Sequence, residues 1–270
     1  MIAIRLLTIS HEEVTGFDDF FDQVKDIDVA RVSPQVVDGE ARLRIEDEPI
    51  GNFDAVFTDI PAKNAVFGRV LLETIEEKDI PVDNYSTAYF TAAKKNYLYY
   101  VLTKRGIESP TTISVAAEKA VRNIDKHLEF PIIGKKLEDL EETEKRKIDS
   151  KEEIKSFSDG IEYEEDVLLF QELNEGEKYR CLFIEGEVIS LKEGSDGWEF
   201  TGKNLKYCNL DNSQKELVRE ACESVGLRIT EVLIRGSEIY DINPNPDLEL
   251  YSEKAGKNAF SAVAKTLKED

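Results

Sequence analysis

Two oxygen-bearing side chains close an apolar segment near the C-terminal end of the chain. Asp241 and Asn243 are two residues apart in Tyr240–Leu248, so on an extended strand both side chains point to one face. A carboxylate and an amide oxygen on one face suit a hard cation such as Mg²⁺, which prefers oxygen ligands. The prolines at 244 and 246 cannot donate to a sheet, so an ordinary Asn-Pro turn explains the same residues. Both readings stay open on this stretch alone.

Two lysines, Lys95 and Lys135, lie on a predicted helix and a predicted strand and could supply positive charge to a site. Lys95 lies in the middle of a stretch from Thr87 to Gly106 whose apolar residues recur at three- and four-residue steps, which predicts one long helix ended by the glycine. Lys135 lies near the end of Phe130–Lys136, which predicts a strand. For the adjacent lysines at 94 and 95, the ordinary explanation is a solvated helix face.

Composition excludes several classes of function. Among 270 residues there are 56 acidic and 35 basic residues, a net charge of −21, which argues against nucleic acid as a partner because phosphate backbones are bound by clustered Lys and Arg. Three cysteines without a close pair and two histidines make a zinc site improbable. The chain has no apolar run of membrane-spanning length and no signal-peptide pattern at its start, so we expect no membrane association and a cytoplasmic location.

The order of predicted elements indicates an α/β (α+β) fold with a small open α/β domain first. In that first part we expect strands over 2–8, 29–37, 41–45, 54–59 and 81–84 and helices over 17–24 and 66–77. Downstream we expect strands over 130–136, 167–172, 178–184, 187–191, 227–234 and 237–242 and helices over 117–128, 213–225 and 252–268. The almost wholly charged segment from Leu137 to Ser158 predicts a mobile surface stretch with a helix from about Ser150.

Six segments in this order carry a resemblance to a known family. They are Lys95, Gly106–Thr111, Pro131–Lys135, Leu169–Leu173, Gly176–Arg180 and Asp241–Asn243. With these spacings the chain resembles the ATP-grasp superfamily, and its C-terminal half is most similar to the RimK-like branch of carboxylate-amine ligases, above all through Tyr179–Ile189 and Asn243–Gly256. The resemblance covers roughly residues 85–270. It implies an ATP-grasp fold preceded by a small Rossmann-like α/β domain, with an N-terminal domain over 1–85, a central lid subdomain over 86–165 and a C-terminal subdomain over 166–270.

The resemblance implies ATP and Mg²⁺ as cofactors and gives roles to two groups of charged residues. Lys95 and Lys135 would reach the phosphates of ATP from two sides, which suits mobile point charges. Arg180 would lie near the phosphates and the acyl group, where its planar fork suits an oxyanion; a hairpin salt bridge is the alternative for this residue. Asp241 and Asn243 would hold Mg²⁺ against the β- and γ-phosphates.

The resemblance also implies where the adenosine part of ATP would bind. Gln171, Glu172 and Leu173 would form the hinge whose backbone meets adenine, with the Glu172 carboxylate accepting from the exocyclic amine. A solvated carboxylate at the end of a strand is the alternative for Glu172. Lys178 falls where the family has an acid that binds ribose.

Departures from the family pattern concern two acidic positions. The second metal carboxylate of the family should fall near Leu233, which cannot bind a metal, although Glu231 would share its face on a strand. Because the ribose-binding acid is replaced by Lys178, Glu175 and Glu177 are the candidate substitutes.

A third departure is the loop that should cover the phosphates. In the family a glycine-rich loop follows the position of Lys135, and its backbone amides approach phosphate closely. Here that place holds Lys-Leu-Glu-Asp-Leu-Glu-Glu, whose carboxylates would repel phosphate unless lysines such as Lys145 and Lys147 turn inward.

The resemblance therefore implies an ATP- and Mg²⁺-dependent ligase that activates a carboxylate as an acyl phosphate for attack by an amine or thiol. Its partners would be small-molecule or peptide carboxylates and amines, and the sequence leaves a homo-oligomer open. An enzyme is favoured, with two alternatives. A degenerate ATP-grasp protein would bind a nucleotide or a protein partner without turnover, and a small-molecule kinase is the third reading because ATP-grasp-like kinases also carry a terminal Asp-x-Asn.

Overall fold

A computed structural model describes residues 3–46, 48–115, 124–138, 141–159, 166–194 and 197–269. Its strands are β1 (Arg5–Ser10), β2 (Gln23–Asp28), β3 (Val32–Val37), β4 (Glu40–Ile45), β5 (Glu48–Pro49), β6 (Ala55–Asp59), β7 (Thr112–Val115), β8 (Ile132–Glu138), β9 (Glu141–Ile148), β10 (Asp166–Glu172), β11 (Lys178–Ile184), β12 (Glu187–Glu193), β13 (Lys206–Cys208), β14 (Ile229–Arg235) and β15 (Glu238–Asn243). Its α-helices are α1 (Ala65–Glu76), α2 (Ser86–Ala93), α3 (Lys95–Lys104), α4 (Lys151–Ser158), α5 (Asn212–Val225), α6 (Leu248–Ala255) and α7 (Ala259–Glu269).

The first part of the chain forms a parallel three-stranded sheet in the order β2-β1-β6, followed by α1. Leu7 of β1, Val56 of β6 and Leu71 of α1 are buried in one apolar cluster, which is why the alternation of apolar strand and amphipathic helix gives an α/β unit. The expected hairpin around Asp38-Gly39 is confirmed as β3 and β4 in a separate small sheet.

Two expectations in this part were wrong. Residues 17–24 do not form a helix, because Phe17 accepts backbone hydrogen bonds only in a tight turn before β2 begins at Gln23 and pairs with β1. The aromatic residues that suggested a helix face serve instead as core contacts, with Phe17 fully buried. The strand expected over 81–84 is reduced to an isolated bridge between Val56 and Val82.

The long helix expected from Thr87 to Gly106 is divided into α2 and α3. The break is at Lys94, whose backbone is extended (φ −93°, ψ 90°). As a result Lys95 is the first residue of α3 rather than the middle of a helix. The closing helix expected over 252–268 is likewise two helices, α6 and α7, since Gly256 takes a left-handed conformation (φ 61°) after α6.

A second sheet, in the order β7-β10-β8-β9, is antiparallel throughout. The prediction of a mobile segment over 137–158 was wrong. β9 pairs with β8 along its length, and Ile148 is buried against Ile132 and Phe157. The charged side chains of β9 are accommodated by cross-strand pairs such as Lys136 with Glu144 at 2.6 Å. The helix expected from about Ser150 is confirmed as α4. Most of the helix expected over 117–128 lies outside the described residues.

The third sheet has the order β13-β12-β11-β14-β15, with β11 at its centre and α5 packed on one side. The strands expected over 178–184, 187–191, 227–234 and 237–242 and the helix over 213–225 are confirmed, with ends shifted by one or two residues. No helix within the described ranges has both the length and the apolar character of a membrane span. The domain boundaries, the oligomeric state and the cellular location stay predictions.

Candidate active site

The register of the five-stranded sheet places the predicted site residues of the C-terminal half on one face. Arg180 of β11 pairs with Leu233 of β14, which in turn pairs with Asp241 of β15. Asn243 pairs with Glu231 in the same way. Residues directly opposite one another in an antiparallel sheet point to the same side, so this face is a row of charged and amide groups interrupted by one leucine.

Lys95 reaches this face from the start of α3. Its ammonium lies 2.8 Å from Asp241 Oδ1 and donates to the carbonyl of Ile242 at 2.6 Å. Burial raises the pKa of Asp241, but the positive charges of Lys95 and Lys135 outweigh it and hold the pKa below its usual value. The sequence prediction that Lys95, Lys135 and Asp241 come together is consistent with this geometry.

The amide of Asn243 takes part in a local turn. Its Nδ2 donates to the carbonyl of Asn245 at 2.9 Å, and its Oδ1 accepts from the Asn245 amide at 3.1 Å. The turn expected as the alternative is therefore formed, and it leaves Asn243 on the same face as Asp241. Among the described residues, no cluster of three or more His, Cys, Asp or Glu could hold a metal ion. The donor set that remains, one carboxylate and one amide oxygen, fits a Mg²⁺ that takes its other ligands from phosphate and water.

Arg180 is held between two carboxylates. Its Nε donates to Glu193 at 3.2 Å, and its Nη1 donates to both oxygens of Glu231 at 3.1 Å. The hydroxyl of Tyr251 donates to Glu231 at 2.9 Å. Burial lowers the pKa of Arg180, while Glu231 and Glu193 raise it, with a net shift upward. The hairpin salt bridge is thus present, and Glu231, the suggested substitute for the missing metal carboxylate, is engaged with Arg180.

Lys135 is almost completely buried, with 2% of its surface exposed. Its ammonium lies 5.0 Å from the centre of the Tyr240 ring and 5.9 Å from that of Tyr99. Lys145 lies opposite Lys135 on β9 and also faces the Tyr240 ring, at 5.4 Å. Burial lowers the pKa of Lys145, and the charge of Lys135 lowers it further. Of the two lysines proposed to turn inward, Lys145 does so, whereas Lys147 forms an ion pair with Asp149.

The predicted hinge lies at the end of β10. Gln171 is buried and donates to the hydroxyl of Thr112 at 3.3 Å. The Glu172 carboxylate accepts from the Glu129 amide at 3.2 Å, so it is not simply solvated. The amide of Leu173 donates to the carbonyl of Pro131 at 3.2 Å. Adenine bound here would compete with these two hydrogen bonds.

The predicted ribose position, Lys178, is buried beside a loop that the sequence did not connect with the site. Its ammonium donates to the carbonyl of Glu199 at 2.5 Å and lies 3.6 Å from Glu193. Arg235, which pairs with Lys178 across β11 and β14, donates to the carbonyl of Trp198. The Phe200 ring packs on Tyr240 with centroids 5.0 Å apart.

A cavity of about 450 Å³ opens beside these groups. It is lined by Gly176, Glu177, Lys178, Lys192, Glu193, Gly194, Gly197, Asn204, Lys206 and Arg235. Arg235 and Tyr240 were not predicted from the sequence. One available signal was that Arg235 is two residues after Leu233 on the same strand and so shares its face.

The chain is similar in sequence and in fold to several known proteins. The family model described as the RimK-like ATP-grasp domain matches residues 92–267. A probable alpha-L-glutamate ligase from Aliivibrio salmonicida is 24% identical over 260 residues, covering 89% of this chain and 85% of the relative. A RimK domain ATP-grasp protein from Sphaerobacter thermophilus superposes with a TM-score of 0.74 at 13% identity, covering 97% and 98% of the two chains. The ATP-grasp ligase PsnB, in complex with a minimal precursor, Mg and ADP, superposes with a TM-score of 0.69 at 14% identity, covering 97% and 96%.

Proposed function

Because the chain belongs to the RimK-like ATP-grasp family, we propose that it is an ATP- and Mg²⁺-dependent ligase that joins a carboxylate to an amine or thiol. The observation that carries this proposal is the convergence of charge on Asp241. Lys95 contacts this carboxylate from the start of α3, and Lys135 lowers its pKa from a different sheet. A cluster of this kind, with cations around one acidic metal ligand, suits a nucleotide triphosphate and its metal ion.

The reaction has two steps. A carboxylate oxygen attacks the γ-phosphorus of ATP, the bond to the bridging oxygen breaks, and ADP leaves. The amine or thiol then attacks the acyl carbon, phosphate leaves with the electrons of the broken bond, and the nucleophile loses a proton. This route needs no nucleophile from the protein. Positioning and charge stabilisation supply the catalysis, as is general for phosphoryl transfer.

We assign the residues as follows. Asp241 and Asn243 would hold Mg²⁺, which would neutralise negative charge on the phosphates of ATP. Lys95 and Lys135 bind the phosphates, since ammonium groups on flexible stems can follow them as the site closes. Arg180 stabilises the acyl oxyanion, and its planar fork, now engaged with Glu193 and Glu231, gives it a fixed orientation.

The adenosine end of ATP would lie along the hinge. Glu172 accepts from the exocyclic amine of adenine, and the backbone from Gln171 to Leu173 lines the ring. Lys178, where the family has an acid for ribose, lies on the wall of the neighbouring cavity. Its ammonium can donate to a ribose hydroxyl or to a phosphate.

The comparisons support an amino acid or a peptide as the substrate class. The relatives are described as probable alpha-L-glutamate ligases, and PsnB is described in complex with a precursor. An acyl phosphate route would serve both substrate classes, because an amino acid and a peptide each carry a carboxylate and an amine.

A degenerate protein that binds nucleotide without turnover is the second candidate. It is favoured by Leu233 opposite Asp241 and by the two carboxylates that hold Arg180. Leu233 would weaken metal binding, and the two carboxylates would weaken the stabilisation of negative charge by Arg180. Neither feature removes the pocket.

The test is a reaction with ATP, Mg²⁺ and pools of amino acids and short peptides, in which ADP, phosphate and ligated product are measured. We expect phosphate release that requires both a carboxylate and an amine or thiol. Lys135→Ala should abolish it, while Lys147→Ala, on the same hairpin but paired with Asp149, should not. A phosphorylated product would indicate a kinase, and nucleotide binding without turnover would favour the second candidate. Absence of nucleotide binding at millimolar ATP, or full activity of Lys135→Ala, would refute the ligase assignment.

A further inference from the structure

Three cations surround one buried aromatic ring between the two antiparallel sheets. The ring is that of Tyr240, which is 2% exposed. Lys135 Nζ lies 5.0 Å from its centre, Lys145 Nζ 5.4 Å and Arg235 Cζ 5.1 Å. They come from β8, β9 and β14, so the fold collects these charges from segments far apart in sequence.

The described residues provide little negative charge for this cluster. Glu142 lies 3.9 Å from Lys135 and 3.8 Å from Lys145, both beyond hydrogen-bonding distance. Asp241 is paired with Lys95, and Glu193, which acts on Arg235 only at longer range, is shared by Lys178 and Arg180. Glu199 likewise acts on Lys145 only at longer range. Arg235 is buried, with only 6% of its surface exposed, and it has no ion pair within the described ranges. Burying cations without matched anions is unfavourable.

Polar atoms of the same cluster are also unsatisfied. The hydroxyl of Tyr240 and the Nε of Arg235 are buried and have no hydrogen-bond partner among the described residues. Such groups usually have a partner, and an unpaired one costs free energy. The hydroxyl and the guanidinium both belong to side chains that are more than nine-tenths buried, so a ligand with several acceptor oxygens would satisfy them.

The hydrogen bonds that Arg235 and Lys178 make are with backbone carbonyls, and Lys178 also lies 3.6 Å from the Glu193 carboxylate. Arg235 Nη2 donates to the carbonyl of Trp198, and Lys178 Nζ donates to that of Glu199 at 2.5 Å. Carbonyl oxygens are neutral acceptors, and anionic oxygens form the stronger hydrogen bonds with Arg and Lys. The carbonyl oxygens of Trp198 and Glu199 therefore occupy positions at which the oxygens of an anion would bind Arg235 and Lys178 more strongly.

We propose that Tyr240, Lys145 and Arg235, together with Lys135, bind the polyphosphate of the nucleotide. The proposal rests on the proposed function for the identity of the ligand. In it Lys145 supplies by charge what the backbone amides of a glycine-rich loop supply elsewhere in the family. The cross-strand register explains the arrangement, because Lys135 and Lys145 are direct neighbours on β8 and β9. Like charges in that position repel each other, and an anion between them removes the repulsion.

Binding can be followed with the protein's own fluorescence. Trp198 is the one tryptophan of the chain, and its ring centre lies 5.7 Å from Lys145 Nζ. Inorganic tripolyphosphate, ADP and adenosine are titrated into the full-length protein and into Lys145→Gln, Arg235→Gln and Tyr240→Phe. The control is Lys147→Gln, two residues along β9, where the lysine is paired with Asp149 instead.

We expect Lys145→Gln and Arg235→Gln each to weaken tripolyphosphate and ADP binding by about tenfold or more, as for loss of a charge-assisted hydrogen bond. Tyr240→Phe, which keeps the ring and removes the hydroxyl, should weaken it by about threefold to tenfold. Adenosine binding should not change in any of them, and Lys147→Gln should match the original protein. Circular dichroism confirms that each variant is folded, and Tyr240→Phe serves as the test if a charge variant is not.

Three results would overturn the proposal. The first is unchanged tripolyphosphate affinity in the folded variants, and the second is an equal loss of adenosine affinity, which would mean a structural role. The third is failure of the original protein to bind tripolyphosphate. Since only binding is measured, a protein that binds tripolyphosphate but never forms a ligated product would refute the ligase function and leave this site standing.

Discussion

Leu233 of β14 lies directly across from Asp241 of β15, where the family resemblance implies a second metal-binding carboxylate. Because leucine carries no charge, the ion-pair partner of Asp241 is Lys95, whose ammonium lies 2.8 Å from the carboxylate. The proposed metal-binding face is thus short of one negative charge, and the register of the sheet defines the position at which to restore it. The same register places Arg180 on the other side of Leu233.

Leu233→Asp should therefore strengthen Mg²⁺ binding. The new carboxylate would lie directly across from Asp241, and Leu233 is only partly buried, so the charge is not forced into the core. We expect the half-saturating Mg²⁺ concentration for nucleotide binding to fall by about tenfold, the effect of one added charged ligand. Leu233→Asn, of similar shape and neutral, is the control. An equal effect of both variants, or no effect of either, would contradict a metal site at Asp241.

The adenine contact predicted for Glu172 can be tested through nucleotide selectivity. Glu172→Ala removes the acceptor for the exocyclic amine, so ATP binding should weaken by about tenfold, while binding of inosine triphosphate, which lacks that amine, should not. Glu129→Ala is a matched control, because Glu172 is bonded to the backbone amide of Glu129 rather than to its side chain. A parallel loss for both nucleotides would place the adenine elsewhere.

Part of this site was predictable from the sequence because it depends on order along the chain. Lys135, Arg180 and Asp241 each lie on a strand that local pattern defines, and Lys95 lies in a stretch with helical periodicity. Asp241 and Asn243 share a face simply because they are two residues apart. Their ordering, together with the resemblance, was enough to indicate a shared cluster.

The remainder depended on contacts that local pattern does not encode. The break at Lys94 interrupts a stretch whose apolar residues keep helical spacing on both sides, so only the contact of Lys95 with β15 reveals it. β9 has one deeply buried apolar residue, Ile148, and its strand conformation comes from pairing with β8. The hydrogen bond from Arg235 to the backbone carbonyl of Trp198 links two residues that are 37 apart in sequence. Nothing in the local sequence around either residue indicates this contact.

Asp83 provides a test of stability against pH. Its carboxylate accepts from the amide and the hydroxyl of Thr58 at 2.8 Å and 3.0 Å, yet burial, the largest influence, raises its pKa from 3.8 to about 7. A raised folded-state pKa means that the folded state prefers the protonated form. Its contribution to the free energy of unfolding is therefore full below about pH 4 and is lost as the pH rises through 7.

Asp83→Asn should remove this dependence, since an amide does not titrate in that range. Relative to the original protein, the free energy of unfolding of the variant should rise between pH 4 and pH 8 by up to about 4 kcal/mol, the equivalent of a three-unit shift. Chemical denaturation at several pH values measures the difference. Asp79→Asn, at an exposed position, is the control and should follow the original curve. A constant difference across the range would mean that Asp83 does not titrate between the two values.

Gly134 lies next to Lys135 on β8 in a place that admits no side chain. A Cβ at this position would lie 2.7 Å from Phe157 Cε1 and 2.8 Å from Ile148 Cδ1, both of which belong to buried side chains. Gly134→Ala should therefore lower the free energy of unfolding by about 1–3 kcal/mol, the usual cost of overpacking. Gly51→Ala is the control, because nothing lies within 4 Å of its Cβ position. Since the strain falls on the hairpin that carries Lys135 and Lys145, the same variant should weaken tripolyphosphate binding. Equal denaturation midpoints for the two variants would show that Phe157 and Ile148 can move aside, and that the hairpin does not need a glycine to hold its lysines.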